Sequence, residues 1–304
     1  MESATTKKHK FLGLFSAIRG YNVAMLMLAQ YLAAIFVFAV DKTLKEILLD
    51  IHLHIVVIAT FFVVSAGYII NDFYDAKLDA INKPIKTHIG NWVSKNTKLQ
   101  VYFLFNFIAF VLGFIISWKA ATFFAIYIFL IWLYSHKLQK FPVVRVLSVS
   151  ILDILPFFVM FVYFNYVSEI ILMHGAFLYG LILVKEIIKD FERTKGALLI
   201  NRATLITKYG KRSVKRYVYL VLIGVAFPAY YILSFPEIGL MQYYFYGVVL
   251  WIPFFLFLLI KAKTFKHYLM LHNMLKVVLV IGVFSLALID TSVLLIRILN
   301  QVKI

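Results

Sequence analysis

Nine stretches of this sequence are long, nearly unbroken series of apolar residues: Phe15–Val40, Ile51–Ile70, Leu99–Trp118, Ala120–Tyr134, Val143–Tyr166, Ile170–Val184, Tyr217–Leu233, Met241–Ile260 and Leu275–Leu299. A helix of roughly 20 such residues crosses the hydrocarbon core of a bilayer. Lipid offers the backbone no hydrogen bonds, so a chain that crosses it must be helical or form a closed barrel. Barrel strands alternate polar and apolar residues, and these runs do not. The composition agrees, with 63% hydrophobic residues and a mean hydropathy of +0.91. A soluble domain is nearer half apolar. The expectation is an all-α, polytopic membrane protein of about nine transmembrane helices. Residues 1–304 form one membrane-embedded domain, with residues 1–14 as a polar cytoplasmic N-terminus. Pro156, Pro228 and Pro253 fall inside spans, where each removes a backbone donor and kinks its helix.

Charge tests the count. Nine spans divide the connections into two alternating sets, and 26 of the 31 Lys and Arg residues fall in one of them. That set contains residues 1–19, 77–98, 137–145, 185–216 and 261–276. Basic connections stay cytoplasmic, so the N-terminus is expected inside and the C-terminus on the opposite side. The net charge of +17 follows from this bias and suits anionic lipid or an anionic substrate. The charge is scattered among membrane loops, which disfavours nucleic acid. The Lys211-Arg212-x-x-Lys215-Arg216 run reads most simply as an orientation signal at lipid headgroups. The absence of cysteine excludes disulfides, thiolate nucleophiles and cysteine metal sites.

Only 14 residues are acidic, and six of them lie in two short segments on the expected cytoplasmic side. In the first, Asn71 precedes Asp72, Asp75 and Asp79, whose i, i+3, i+7 spacing stacks them along one helical face. Three like charges in a row repel, and hard oxygen ligands of this kind suit Mg²⁺ bridging to a phosphate. In the second, Glu186 and Asp190 share a face and Lys185 and Lys189 flank them, with Glu192 following. Acids for a metal beside lysines for phosphate oxygens meet the needs of a diphosphate site. One such cluster reads equally well as the solvated flank of a span. Two on one side favour a site. Asp153 lies within the fifth span, where an ionisable group is a functional candidate by default. It is read as lining an acceptor pocket or as bonding a neighbouring helix. No His-x-x-x-His spacing suggests zinc.

The Asn71-Asp72-x-x-Asp75-x-x-x-Asp79 segment, followed by Asn82-Lys83-Pro84, resembles the first motif of the UbiA superfamily of intramembrane prenyltransferases. The run from Lys185 to Asp190 is similar to the opening of that superfamily's second motif. Arg19 and Asn22 resemble its Arg-x-x-Asn, and Tyr134-Ser135 with Lys137 and Lys140 resembles its Tyr-Ser-plus-lysine loop. The resemblance implies nine helices around a central cavity and an active site facing the cytoplasm. It implies two Mg²⁺ ions held by Asp72, Asp75, Asp79, Glu186 and Asp190, with Asp72, Asp75 and Asp190 catalytic. A donor diphosphate would lie among Arg19, Asn22, Asn71, Lys83, Lys137, Lys140, Lys185, Lys189 and Arg193. Metal neutralises the leaving group, and aromatic faces stabilise the allylic cation.

The chain also departs from the motifs. Arg193 and Ala197 stand where many relatives carry two further acids, and Arg145-Val146 replaces a Gly-Asn. The resemblance implies an isoprenyl diphosphate donor and a lipophilic acceptor, with a glycerol-phosphate lipid ahead of an aromatic acceptor such as 4-hydroxybenzoate or a naphthoate. Outside catalysis, a transporter or a degenerate scaffold member stays open. A transporter would place its acids near the midplane in paired repeats, and no repeat is evident.

Overall fold

The computed structural model describes residues 7–39 and 42–289. Among them no strand occurs, and nine helices are long and apolar enough to cross a membrane. Helix α1 (Lys7–Ala17) lies ahead of the first span. Arg19 then takes a left-handed conformation (φ 53°, ψ 52°) and caps α2 (Gly20–Ala33), which ends in a π-helical turn, Ala34–Phe38. A short α3 (Leu44–Leu48) follows, closed by a Thr43–Glu46 capping box. The long α4 (Ile51–Asn82) starts at an Asp50 cap, and α5 (Pro84–Gly90) starts on the proline that ends it. Ser94 and Ser117 cap α6 (Lys95–Ile116) and α7 (Trp118–His136). Then come α8 (Pro142–Phe164), α9 (Glu169–Leu199), α10 (Leu205–Leu233), α11 (Gln242–Lys261) and α12 (Phe265–Ser285).

The number of spans matches the sequence reading, but several ends move. The first span does not begin at Phe15, because the chain breaks at Arg19. The second and sixth do not stop at Ile70 and Val184; α4 and α9 run on through both acidic segments. One face of each extension stays apolar, with Leu78, Ile188 and Phe191 buried, so packing carries the helix where the opposite face turns polar. The ninth span begins at Phe265 rather than Leu275. Its expected end, Asp290 and the C-terminus lie outside the described residues.

Two apolar clusters hold the bundle. One joins α2, α4, α6, α7 and α8, and the other joins α9 to α12. The outer surface is apolar as well. Phe103, Phe107 and Phe114 of α6 are all largely exposed, and in water such a face would drive aggregation. This is an integral membrane protein, and lipid covers that face. The three prolines sit within α8, α10 and α11 as expected. Pro156 cannot donate to the Leu152 carbonyl one turn back. The Tyr127 hydroxyl donates to it instead, at 3.0 Å. Lys215 donates to the carbonyls of Leu259, Ile260 and Ala262, capping the C-terminal end of α11.

Candidate active site

A cavity of about 610 Å³ lies between α2, α4, α7, α8, α9 and α12. Its lining changes character along every helix. On α4 and α9 the apolar lining comes first and the charges last, from Asn71 and from Lys185 onward. The antiparallel α2, α8 and α12 reverse that order and begin with Arg19, Arg145, and His272 with Lys276. All the charges therefore meet at one end. The other end is walled by residues such as Phe157, Met160, Phe177, Phe245 and Val283. A cavity of this size, with a polar head and an apolar body, suits an amphiphile.

The three acids of the first segment share an arc of about 60° on α4, wide enough to give them different neighbours. Each residue turns the helix by about 100°, so Asp75 lies about 60° from Asp72. Asp75 faces the cavity, whereas Asp72 turns outward to Lys98 at 2.8 Å and Lys86 at 3.4 Å. Asp75 accepts from Arg202 at 2.6 Å and lies 3.7 Å from Arg193. Asp79 lies 3.5 Å from Arg193 and 3.9 Å from Lys86. Asn71 Oδ1 and Asp79 Oδ2 are buried without a hydrogen-bond partner.

The second segment is paired throughout. Glu186 accepts from Lys189 at 2.6 Å and faces Lys185 at 3.5 Å. Asp190 accepts from Arg145 and from the Leu205 amide. Lys185 also donates to Asp153 at 3.0 Å, which places Asp153 in the cavity wall. Glu192 turns away to His272. The two segments meet through a close helix approach. A Cβ on Gly196 would fall 2.4 Å from the Asn82 side chain, so only glycine lets α9 pass there undisturbed.

Most of the expected site residues converge. Arg19, Asn22, Asn71, Asp75, Lys83, Asp153, Lys185, Glu186, Lys189, Asp190 and Arg193 all line the cavity. The Arg19 guanidinium also lies 4.7 Å from the centre of the Tyr68 ring. Asp79 stands directly behind Arg193. Lys137 and Lys140 correct the expectation: both are exposed and neither lines the cavity. Gln139 between them turns inward instead and accepts from Arg202 at 2.8 Å. Lys86, Arg202, His272 and Lys276 join the site without any signal in the sequence motifs, and Arg145 stands out there only as a departure from them. Arg202 sits in the turn after Asn201, whose φ is 53°. No spacing signals its reach to α4.

The charged end is strongly cationic. Arg19, Lys83, Lys86, Arg145, Lys185, Lys189, Arg193, Arg202 and Lys276 line it, against Asp75, Asp153, Glu186 and Asp190. Lys83, just beyond the end of α4, shows the strain. Burial, then the nearby Arg193 and Arg19, push its ammonium down to about 7. Among the described residues, no three His, Asp or Glu side chains form a ready metal cage. Asn71 Oδ1 and Asp79 Oδ2 accept no hydrogen bond and offer a hard cation two oxygens, although Asp75 between them is paired with Arg202 and Lys86 lies 3.9 Å from Asp79. The paired acids of the second segment offer none.

A model of the UbiA prenyltransferase family matches residues 30–273. The digeranylgeranylglyceryl phosphate synthase of Methanobrevibacter smithii is 32% identical over 206 residues, which is 64% of this chain and 68% of that protein. A solved structure concerned with digeranylgeranylglyceryl phosphate synthase in membranes superposes with a TM-score of 0.69 at 18% identity, covering 91% of this chain and 97% of the other. The structure of a UbiA homologue from Archaeoglobus fulgidus, bound to GPP and Mg²⁺, superposes with a TM-score of 0.64 at 14% identity, covering 90% and 99%.

Proposed function

Because this chain belongs to the UbiA prenyltransferase family, we propose that it transfers a prenyl group from an isoprenyl diphosphate to a glycerol-phosphate lipid, within one membrane domain. The observation that carries this reading is the cavity itself, whose cationic, acid-bearing end opens into an apolar body. The name of the relative from Methanobrevibacter smithii favours the glycerol-phosphate acceptor. The Lys/Arg asymmetry of the loops supports a charged end at the cytoplasmic face.

The roles follow from the positions. Arg19, Lys83, Lys185 and Lys189 bind the donor's diphosphate, and Asn22 lines the same end of the cavity. Asn71, Asp75 and Asp79 would hold Mg²⁺, whose charge would lower the cost of charge developing on the leaving diphosphate. Asp72 positions Lys86 and Lys98 beside them. Glu186 and Asp190 fix the lysines and Arg145 at the opposite wall. As the allylic C–O bond breaks, its electron pair leaves with diphosphate, and the Tyr68 and Tyr127 rings that line the cavity offer electron-rich faces to stabilise the cationic carbon. The acceptor hydroxyl oxygen forms the new C–O bond, and Asp153 is the acid placed to receive its proton.

The test is transfer from radiolabelled geranylgeranyl diphosphate to geranylgeranylglycerol phosphate, by purified protein in detergent with Mg²⁺. Mg²⁺-dependent ether product, lost in Asp75→Ala, is expected. No product with this acceptor, but product with 4-hydroxybenzoate or a naphthoate, would replace the acceptor class. No product with any of them would remove the reading.

A further inference from the structure

We propose that guanidinium groups take the place of a second divalent cation: Arg145, Arg193 and Arg202 hold one flank of the diphosphate, and the enzyme works with one metal ion per site. This rests on the prenyl-transfer reading and deepens it.

The first segment sets three acids at i, i+3, i+7. The same ladder started from Asp190 falls on residues 193 and 197. Here those are Arg193 and Ala197, and Ala197 is fully buried, so its position offers no oxygen and faces no solvent. The two remaining acids are already occupied. Glu186 faces two lysines, and Asp190 accepts from Arg145 and from a backbone amide. A divalent ion placed there would have to displace fixed cations within hydrogen-bond reach.

The arginines are placed to do the ion's work. Arg193 is more than nine-tenths buried, lines the cavity, and its Nε has no hydrogen-bond partner. Its terminal nitrogens meet α4 only through a long hydrogen bond to Asp79 at 3.5 Å and a loose ion pair with Asp75 at 3.7 Å, which a stronger acceptor in the cavity would outcompete. Arg202 approaches Asp75 from the other side. Asp75 thus sits between two guanidiniums, leaving an excess of positive charge that an anion would satisfy. A guanidinium fork matches phosphate oxygens two at a time and cannot be deprotonated, which suits it to a fixed share of that charge.

The experiment counts metal ions directly. The full chain, in nanodiscs and saturated with inorganic pyrophosphate, is titrated with Mn²⁺ and followed by electron paramagnetic resonance. One tightly bound Mn²⁺ per chain is expected. Calorimetry in EDTA should still detect pyrophosphate binding. Arg193→Gln should weaken this metal-free binding by about tenfold or more, the loss expected for a charged hydrogen bond. Arg193→Lys, which keeps the charge without the fork, should recover part of it. Two Mn²⁺ per chain would overturn this inference and leave the prenyl-transfer reading standing. Absence of pyrophosphate binding even at saturating Mn²⁺ would overturn both. The count on the unmodified protein does not depend on any variant folding.

Discussion

At the end of α4, two buried acceptor atoms, Asn71 Oδ1 and Asp79 Oδ2, have no hydrogen-bond partner, and Asp75 borders the cavity between two arginines. On α9, one helix away, every acid of the second segment is closed. Glu186 lies between Lys185 and Lys189, Asp190 is held by Arg145 and an amide, and Glu192 is turned toward His272. The two segments contain similar letters at similar spacing. Their difference lies in the partners the rest of the fold supplies. Unmet acceptors beside a cavity leave lone pairs that a ligand can take. Met ones mark a wall that holds its shape.

The largest effect should come from opening the closed wall. Arg145→Met strands the buried Asp190 carboxylate on a single amide. Unfolding in detergent should report a loss of about 3–5 kcal/mol, as for breaking a buried ion pair. A loss near zero would mean that Asp190 is not committed to structure. Next, Asp75→Ala should lower the transfer rate by about 10²- to 10³-fold, the scale of removing one preorganised electrostatic group. Retention of most activity would move the chemistry off α4.

A sharper test sets the segments side by side. Asp79→Asn should raise the Mg²⁺ concentration for half-maximal activity by about tenfold or more, while Glu186→Gln should leave that concentration where it was. Equal shifts would erase the distinction between the two segments. The smallest effect is the pH response of Lys83. Its ammonium loses a proton as pH rises through about 7. The cavity end then holds one positive charge fewer, and pyrophosphate affinity should fall by about threefold between about pH 6 and about pH 8, the weight of one screened charge. Lys83→Gln should flatten that profile.

Much of this was open to reading in the chain. The apolar runs and the one-sided Lys/Arg distribution yield nine crossings and a single charged face. Local helical spacing puts Glu186 and Asp190 on one side. What escaped depends on distant contacts. Arg202 reaches Asp75 across a long separation from the turn after α9, and nothing near it in sequence signals that reach. Lys137 and Lys140 look like phosphate binders because they follow Tyr134-Ser135, yet the short turn between them sends Gln139 inward and both lysines out. The span ends were missed for a related reason. Leu78 and Phe191 continue a buried stripe beneath the acids, and only packing shows that the helix survives where hydropathy fails.

The arginines facing the cavity have a consequence for turnover. Each already has a carboxylate behind it: Asp190 for Arg145, Asp75 and Asp79 for Arg193, Asp75 for Arg202. If these arginines hold the diphosphate as proposed, its departure leaves no bare cation, because the acid returns to its arginine as the anion lets go. Release would then be an exchange of partners: the more firmly those carboxylates held their arginines, the faster the product would clear and the weaker the inhibition by pyrophosphate would be.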